Sequence, residues 1–154
     1  RLALVGGGRA LVDTTYLDNA VGALVAALAA VRPGADCSGR AYVIANGEPR
    51  PIRDLIAGIC TAADIEYAPR DVPLALARRV GWLVERAWPR LGRDAEPPLT
   101  EFLAEQLGTA HWFDPAPAAR DLGWTPTVSI DEGLERLAAW YREQRGPTDH
   151  HSDR

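Results

Sequence analysis

Four stretches of the chain repeat their apolar residues at helical spacing, and shorter runs between them read as strands. In residues 19–31, Val21, Leu24, Val25, Leu28 and Val31 fall on one stripe with alanines around them, which predicts a helix packed closely against a sheet. After Pro51, the residues Ile52, Leu55, Ile56, Ile59, Cys60 and Ala63 share one amphipathic face. Cys60 on that face reads as core. A third pattern opens at Asp71-Val72-Pro73 and runs to about Trp88. It carries Leu74, Leu76, Val80, Trp82, Leu83 and Val84 between Arg78, Arg79, Glu85 and Arg86, too many apolar residues for a narrow stripe. Core packing, a lid over a large hydrophobic substrate and docking onto a membrane surface all remain open for it. The fourth, from Ile130 to about Arg145, aligns Leu134, Leu137, Ala138 and Tyr141.

The strand candidates are Leu2–Val5, Val12–Tyr16 and Arg40–Ala45. The last is apolar enough to be covered on both faces of a parallel sheet. Between the first two lies Gly6-Gly7-Gly8-Arg9. A phosphate-cradling Gly-x-Gly-x-x-Gly loop would lead into a helix, but Leu11 stands in the third glycine position and strand-forming residues follow. The run therefore reads as a hairpin turn. Asp18 reads as the N-cap of the helix after it.

Residues 111–134 carry their own punctuation. His111–Phe113 is a short aromatic extended run. Asp114 can accept from a free helix N–H and Pro115 follows it, so a helix starts there. Gly123 ends it by tolerating the left-handed conformation. Trp124-Thr125-Pro126 is extended, because a residue before proline avoids the α region. Ser129 and Glu132 are spaced as a capping box for the last helix, and Thr100 caps a helix from Glu101 to Leu107.

Composition adds limits. The formal net charge is -4, with no basic run to suit a nucleic acid. No apolar run approaches the ~18 residues of a membrane span. Two unpaired cysteines, Cys37 and Cys60, and no signal segment favour reduced thiols in a cytoplasmic or membrane-peripheral protein. The chain contains no Met and begins Arg1-Leu2, so it reads as a piece whose start lies upstream. The tail from Gly146 to Arg154 is polar and expected to be disordered, and His150-His151 within it is no designed metal site.

The series Phe113-Asp114, Ala118, Leu122-Gly123-Trp124, Pro126, Val128-Ser129 and Glu132-Gly133-Leu134, with Trp140 after it and Pro97–Thr100 before it, resembles the C-terminal end of extended short-chain dehydrogenases. It is most similar to their 3β-hydroxysteroid dehydrogenase/isomerase-like branch, within the NAD-dependent epimerase/dehydratase superfamily. The resemblance covers about Val5 to Arg142. It implies an α/β fold: the substrate-binding part of an NAD(P)-binding Rossmann-fold enzyme, mostly helical with a few short strands. Residues 1–145 would form that part, including the last Rossmann strands and helices, and 146–154 the tail. Thr14–Asn19 matches the family's strand-to-helix junction. The hairpin and the third helix would border the substrate, giving Arg9, Val12, Tyr16, Leu76 and Val80 as candidate substrate-binding residues. His111–Phe113 would pair with the strand near Tyr67.

The same resemblance puts the chemistry elsewhere. The family's proton-transfer Tyr is followed four residues later by Lys, whereas Tyr16, Tyr42, Tyr67 and Tyr141 are followed by Ala20, Asn46, Asp71 and Arg145, and the chain has no Lys at all. No catalytic, cofactor-binding or metal-ligating residue is therefore assigned, and NAD or NADP would be bound by the missing N-terminal half rather than by this chain alone. The implied function is the substrate-binding half of an oxidoreductase acting on a hydrophobic 3-hydroxy or 3-oxo compound, inactive by itself, with a homo-oligomer left open for the parent. Two alternatives stay open: a nucleotide-sugar epimerase or dehydratase, disfavoured because Val12 stands where those enzymes usually carry a diphosphate-holding Arg, and a non-catalytic binding module. If the sheet partners are indeed missing, residues 19–31 and the Tyr42 strand should leave apolar surface exposed.

Overall fold

Helix α1 (Leu17–Ala30) shows how the chain is arranged. Its small face is the buried one: Asn19 and Ala23 are 1% and 2% exposed, and Ala23 joins Ala118 and Trp124 in a cluster that Tyr42 and Ile44 pack against. Its leucine and valine stripe points outward, with Leu24 68% and Leu28 80% exposed. The sequence pattern found the helix and the stripe. Each residue of the stripe is at least half exposed, which agrees with the exposed apolar surface expected there.

The computed structural model describes residues 3–91, 97 and 99–145. The order is β1 (Ala3–Val5), a glycine turn, β2 (Leu11–Val12), α1, β3 (Arg50–Pro51), α2 (Ile52–Ala62), β4 (Arg70–Val72), α3 (Leu74–Ala87), a 3-10 turn Trp88–Leu91, α4 (Glu101–Gly108), α5 (Ala116–Leu122) and α6 (Ile130–Arg145). The architecture is α/β, mostly helical with a few short strands. β1 pairs parallel with β4, and β2 pairs antiparallel with β3. Val5, Ala77 and Ala104 form a second core cluster under Val72, Leu74 and Leu99. The expected disordered tail lies outside the described residues.

Several local expectations hold. Thr100 Oγ1 accepts from the Leu103 N–H at 2.9 Å, and Ser129 Oγ from the Glu132 N–H at 3.1 Å. The reciprocal half of the capping box is not used, because the Glu132 carboxylate pairs with Arg136 at 2.7 Å. Asp114 accepts from the Ala116 N–H, and Gly123 closes α5 at φ 66°.

Others are corrected. Gly6–Gly8 is not a hairpin turn: β1 and β2 join different sheets, and all three glycines sit at positive φ, between 60° and 68°. Such a left-handed run re-aims the chain rather than folding it back on itself. The second strand is only Leu11–Val12, since residues 13–16 bond to loops and to side chains. Arg40–Ala45 is not a strand, because among the described residues no neighbouring strand pairs with it. Tyr42 and Ile44 are half-buried while Val43 is exposed, so only one side is covered. His111 makes one parallel bridge, to Val12 and not to the Tyr67 region. Asp18 is not the N-cap. Tyr16 holds that position, and Asp18 lies in the first turn, paired with Arg136. Cys60 is only half-buried.

Candidate functional site

Residues 9–16 form the seam to which the other parts are tied. The Ala10 carbonyl accepts from the Ile52 N–H at 2.9 Å and the Leu11 carbonyl from the His111 N–H at 2.8 Å. Asp13 accepts from the Gly47 and Glu48 N–H groups at 3.0 and 3.3 Å. Thr15 Oγ1 donates to the Ile44 carbonyl at 2.9 Å. This seam thus has partners at the first residue of α2, after α4 and in the 44–48 loop. Buried backbone groups need such partners, and here they also set the seam's path.

Its lower end is pinned by two buried asparagines. Asn19 Nδ2 donates to the Val128 carbonyl at 2.7 Å and to Asn46 Oδ1 at 2.9 Å, while Asn19 Oδ1 accepts from the Thr127 and Val128 N–H groups at 2.9 and 3.1 Å. Asn46 Oδ1 also accepts from the Tyr16 N–H, and Asn46 Nδ2 donates to the Val128 carbonyl. Glu48 extends the network: its carboxylate accepts from Asn46, from the Ile130 N–H and from Arg50. Arg50 reaches on to both oxygens of Asp131. Hydrogen bonding to Asp131, then to Glu48, raises the Arg50 pKa against the opposing effect of burial. The bond from Arg50 in turn lowers that of Asp131.

Sequence reading missed this network. Asn46-Gly47-Glu48 reads as a plain turn. The available signal was spacing: Asn19 lies one helical turn before Ala23, so both share the buried face.

The five candidate substrate-binding residues separate into groups. Arg9 is exposed, and its guanidinium lies over Gly7 beside the Asp71 carboxylate. Val12 sits where β2 meets both β3 and His111. The Tyr16 ring packs on Gly133 with the Arg136 guanidinium 5.4 Å from its centroid. Tyr16 also lines an apolar depression of about 270 Å³ with Thr15, Leu55, Ile59, Ile130 and Leu137. Leu76 and Val80 are 53% and 40% exposed on α3. The described contacts bring Arg9 and Val12 onto one seam but join neither Leu76 nor Val80 to Tyr16, which is committed to α6.

The glycine turn does not fit a dinucleotide phosphate. The Gly7 N–H, which a phosphate would need, already donates to Asp71 Oδ1 at 2.7 Å. A carboxylate at that point repels a second anion. Among the described residues, no group of three or more His, Cys, Asp or Glu is placed to hold a metal ion, and no helix is long and apolar enough to cross a membrane.

No family model matches the chain. A 2-alkyl-3-oxoalkanoate reductase of Stenotrophomonas maltophilia (strain K279a) is 50% identical over 139 residues, 90% of this chain and 42% of that protein. The 3β-hydroxysteroid-dehydrogenase/decarboxylase isoform 1 of Arabidopsis thaliana is 31% identical over 86% of this chain and 32% of its own length. The chain therefore spans about two-fifths or less of these relatives. The higher identity to the reductase means that the narrower placement in the hydroxysteroid branch is not carried. Among solved structures, UDP-glucuronic acid 4-epimerase from Bacillus cereus in complex with NAD superposes with a TM-score of 0.56, at 20% identity, over 96% of this chain and 35% of that one. This likeness establishes the shared fold. In sequence the chain is similar to part of these two oxidoreductases, in keeping with the resemblance to the extended short-chain dehydrogenases, the superfamily of NAD-dependent epimerases and dehydratases.

Proposed function

We propose that this chain is the substrate-binding portion, residues 1–145, of a longer NAD(P)-dependent oxidoreductase that acts on a hydrophobic 3-oxo or 3-hydroxy acyl compound. The observation that carries this reading is the half-identical relative whose name is a 2-alkyl-3-oxoalkanoate reductase. The exposed Leu76 and Val80 suit such a substrate, because an acyl chain is bound by apolar area and oriented by a few polar groups. In this reading Arg9, Val12 and Tyr16 form one part of the wall, and Leu76 and Val80 another. The nicotinamide cofactor and the proton-transfer group come from the rest of the protein, since Asp71 occupies the glycine turn here.

A nucleotide-sugar epimerase or dehydratase is the second reading. Membership in the superfamily supports it at least as well as a steroid substrate. One assay separates the two. The natural full-length protein containing this chain is given NADPH or NADH with 2-alkyl-3-oxoalkanoic acids, 3-oxosterols and UDP- and dTDP-sugars. Consumption of reduced cofactor with the 3-oxo acids is the expected result. Turnover of nucleotide sugars alone would overturn the proposal.

A further inference from the structure

The Thr109 hydroxyl fixes which nitrogen of His111 carries a hydrogen. Thr109 Oγ1 donates to the Glu105 carbonyl at 2.7 Å and stands 3.0 Å from His111 Nε2. A hydroxyl has one hydrogen and a carbonyl has none to give, so that hydrogen is spent on Glu105. Oγ1 then only accepts from the ring, and Nε2 is protonated in the neutral and the charged imidazole alike. Nδ1 is therefore the nitrogen at which the ring gains or loses its proton. Among the described residues Nδ1 has no hydrogen-bond partner.

The backbone places this ring on the seam. The His111 N–H donates to the Leu11 carbonyl at 2.8 Å, and His111 bridges Val12 in parallel while β3 pairs with the other edge of β2. His111 is half-buried, and Trp112 and Phe113 after it are 53% and 58% exposed. Exposed apolar area beside one free polar nitrogen suits an acyl compound, whose tail needs area and whose polar end needs a group to orient it. The charged groups on the same elements are engaged. Asp13 accepts from the Gly47 and Glu48 N–H groups, Glu105 pairs with Arg78, and Arg9 lies beside the Asp71 carboxylate.

We propose that His111 Nδ1 binds the carboxylate of the substrate, so that the protein takes free 3-oxo acids in preference to their esters. This rests on the oxidoreductase reading and on Val12 lying in the substrate wall. A carboxylate beside the ring favours the imidazolium, whose added proton comes from solvent onto Nδ1. Nδ1–H then donates to a carboxylate oxygen while Nε2–H stays on Thr109. The bond orients the acyl chain and takes no part in moving the hydride.

Steady-state kinetics of the natural full-length protein, with NADPH or NADH and a 2-alkyl-3-oxoalkanoic acid or its methyl ester, tests this. The natural protein should show the lower KM for the acid. Glutamine reaches the Nε2 position and can keep Thr109, but puts nothing at Nδ1. Asparagine puts an amide at Nδ1 and does not reach Thr109. His111→Gln should raise KM for the acid about tenfold, the worth of a charge-assisted hydrogen bond, with kcat little changed. His111→Asn should bring that KM back to within about threefold of the natural protein, since a neutral donor replaces a charged one. Neither should shift KM for the ester more than about twofold, which also shows that both variants fold. An ester KM as low as that for the acid in the natural protein would overturn the proposal. So would an unchanged KM for the acid in His111→Gln, or an equal rise for acid and ester. A higher KM for the acid in His111→Asn than in His111→Gln would overturn it too, by placing the role of His111 in its bond to Thr109. If the natural protein reduces neither compound, the oxidoreductase reading fails and this inference with it, whereas turnover with unaltered KM in the variants removes this inference alone.

Discussion

The side-chain amides of Asn19 and Asn46 meet in the interior, Asn19 Nδ2 donating to Asn46 Oδ1 at 2.9 Å across 27 positions of sequence. Both amides also donate to the Val128 carbonyl. The start of α1, the 46–48 turn and the approach to α6 are thus joined at one point. Each buried group there has a partner, and removing one side chain strands the others. Asn19→Ala would leave the Thr127 and Val128 N–H groups without their acceptor. We expect a loss of about 2–4 kcal/mol, measured as a shift in urea midpoint at unchanged slope. A loss below about 0.5 kcal/mol would show that water replaces the amide without cost.

The same junction shows what was legible in the sequence. Signals confined to one segment were readable: Thr100 before Leu103, Gly123 after Leu122 and the periodic faces of α2 and α6 each need only neighbours a few positions away. Signals that depend on a distant partner were not. The apolar run Arg40–Ala45 has strand character but, among the described residues, no adjacent strand to pair with. Gly6–Gly8 looks like a hairpin turn until β1 pairs with β4, more than sixty positions away. Arg9 and Val12 lie on one seam, yet the bond from Gly7 to Asp71 beside it has no trace in local pattern.

Gly81 gives a test in which propensity and packing oppose each other. Alanine is the better helix former by about 1 kcal/mol. Its Cβ at position 81 would meet backbone atoms of Thr100 and Glu101 at 2.5–2.7 Å, which cannot rotate away. Overpacking of this kind costs about 1–3 kcal/mol. Gly81→Ala should therefore be destabilised by thermal melting despite its propensity. Gly22→Ala, whose Cβ would meet the Trp124 ring nitrogen at 3.4 Å, should be neutral or better. Equal melting temperatures for the two variants would contradict the close α3–α4 contact.

The outward stripe of α1 should govern self-association of this polypeptide expressed alone. Leu24, Val25 and Leu28 are each at least 60% exposed and lie together on one face. A contiguous apolar patch drives association in water. Replacing Leu24 and Leu28 by Gln should lower the weight-average mass in sedimentation, with little change in urea midpoint because neither side chain is buried. A drop in midpoint instead would mean that the stripe packs on the chain itself.

Acid should unfold the protein through two carboxylates. Asp131 is held below the ordinary aspartate pKa chiefly by its hydrogen bond from Arg50. Asp121 is held low first by Arg120 and then by the Tyr42 hydroxyl, against the opposing effect of burial. In both cases the unfolded chain takes up the proton first. Their stabilising contribution is therefore complete above about pH 5, beyond the ordinary value near 3.9, and is lost as pH falls through the lowered native values. Urea midpoints should hold steady from about pH 7 to 5 and decline below about pH 4. Asp121→Asn combined with Asp131→Asn should lower the midpoint at pH 7 and flatten the acid decline, because the groups that distinguish the two states are gone. If the double variant lost as much stability at about pH 3 as at pH 7, these two ion pairs would not be the source of the acid sensitivity.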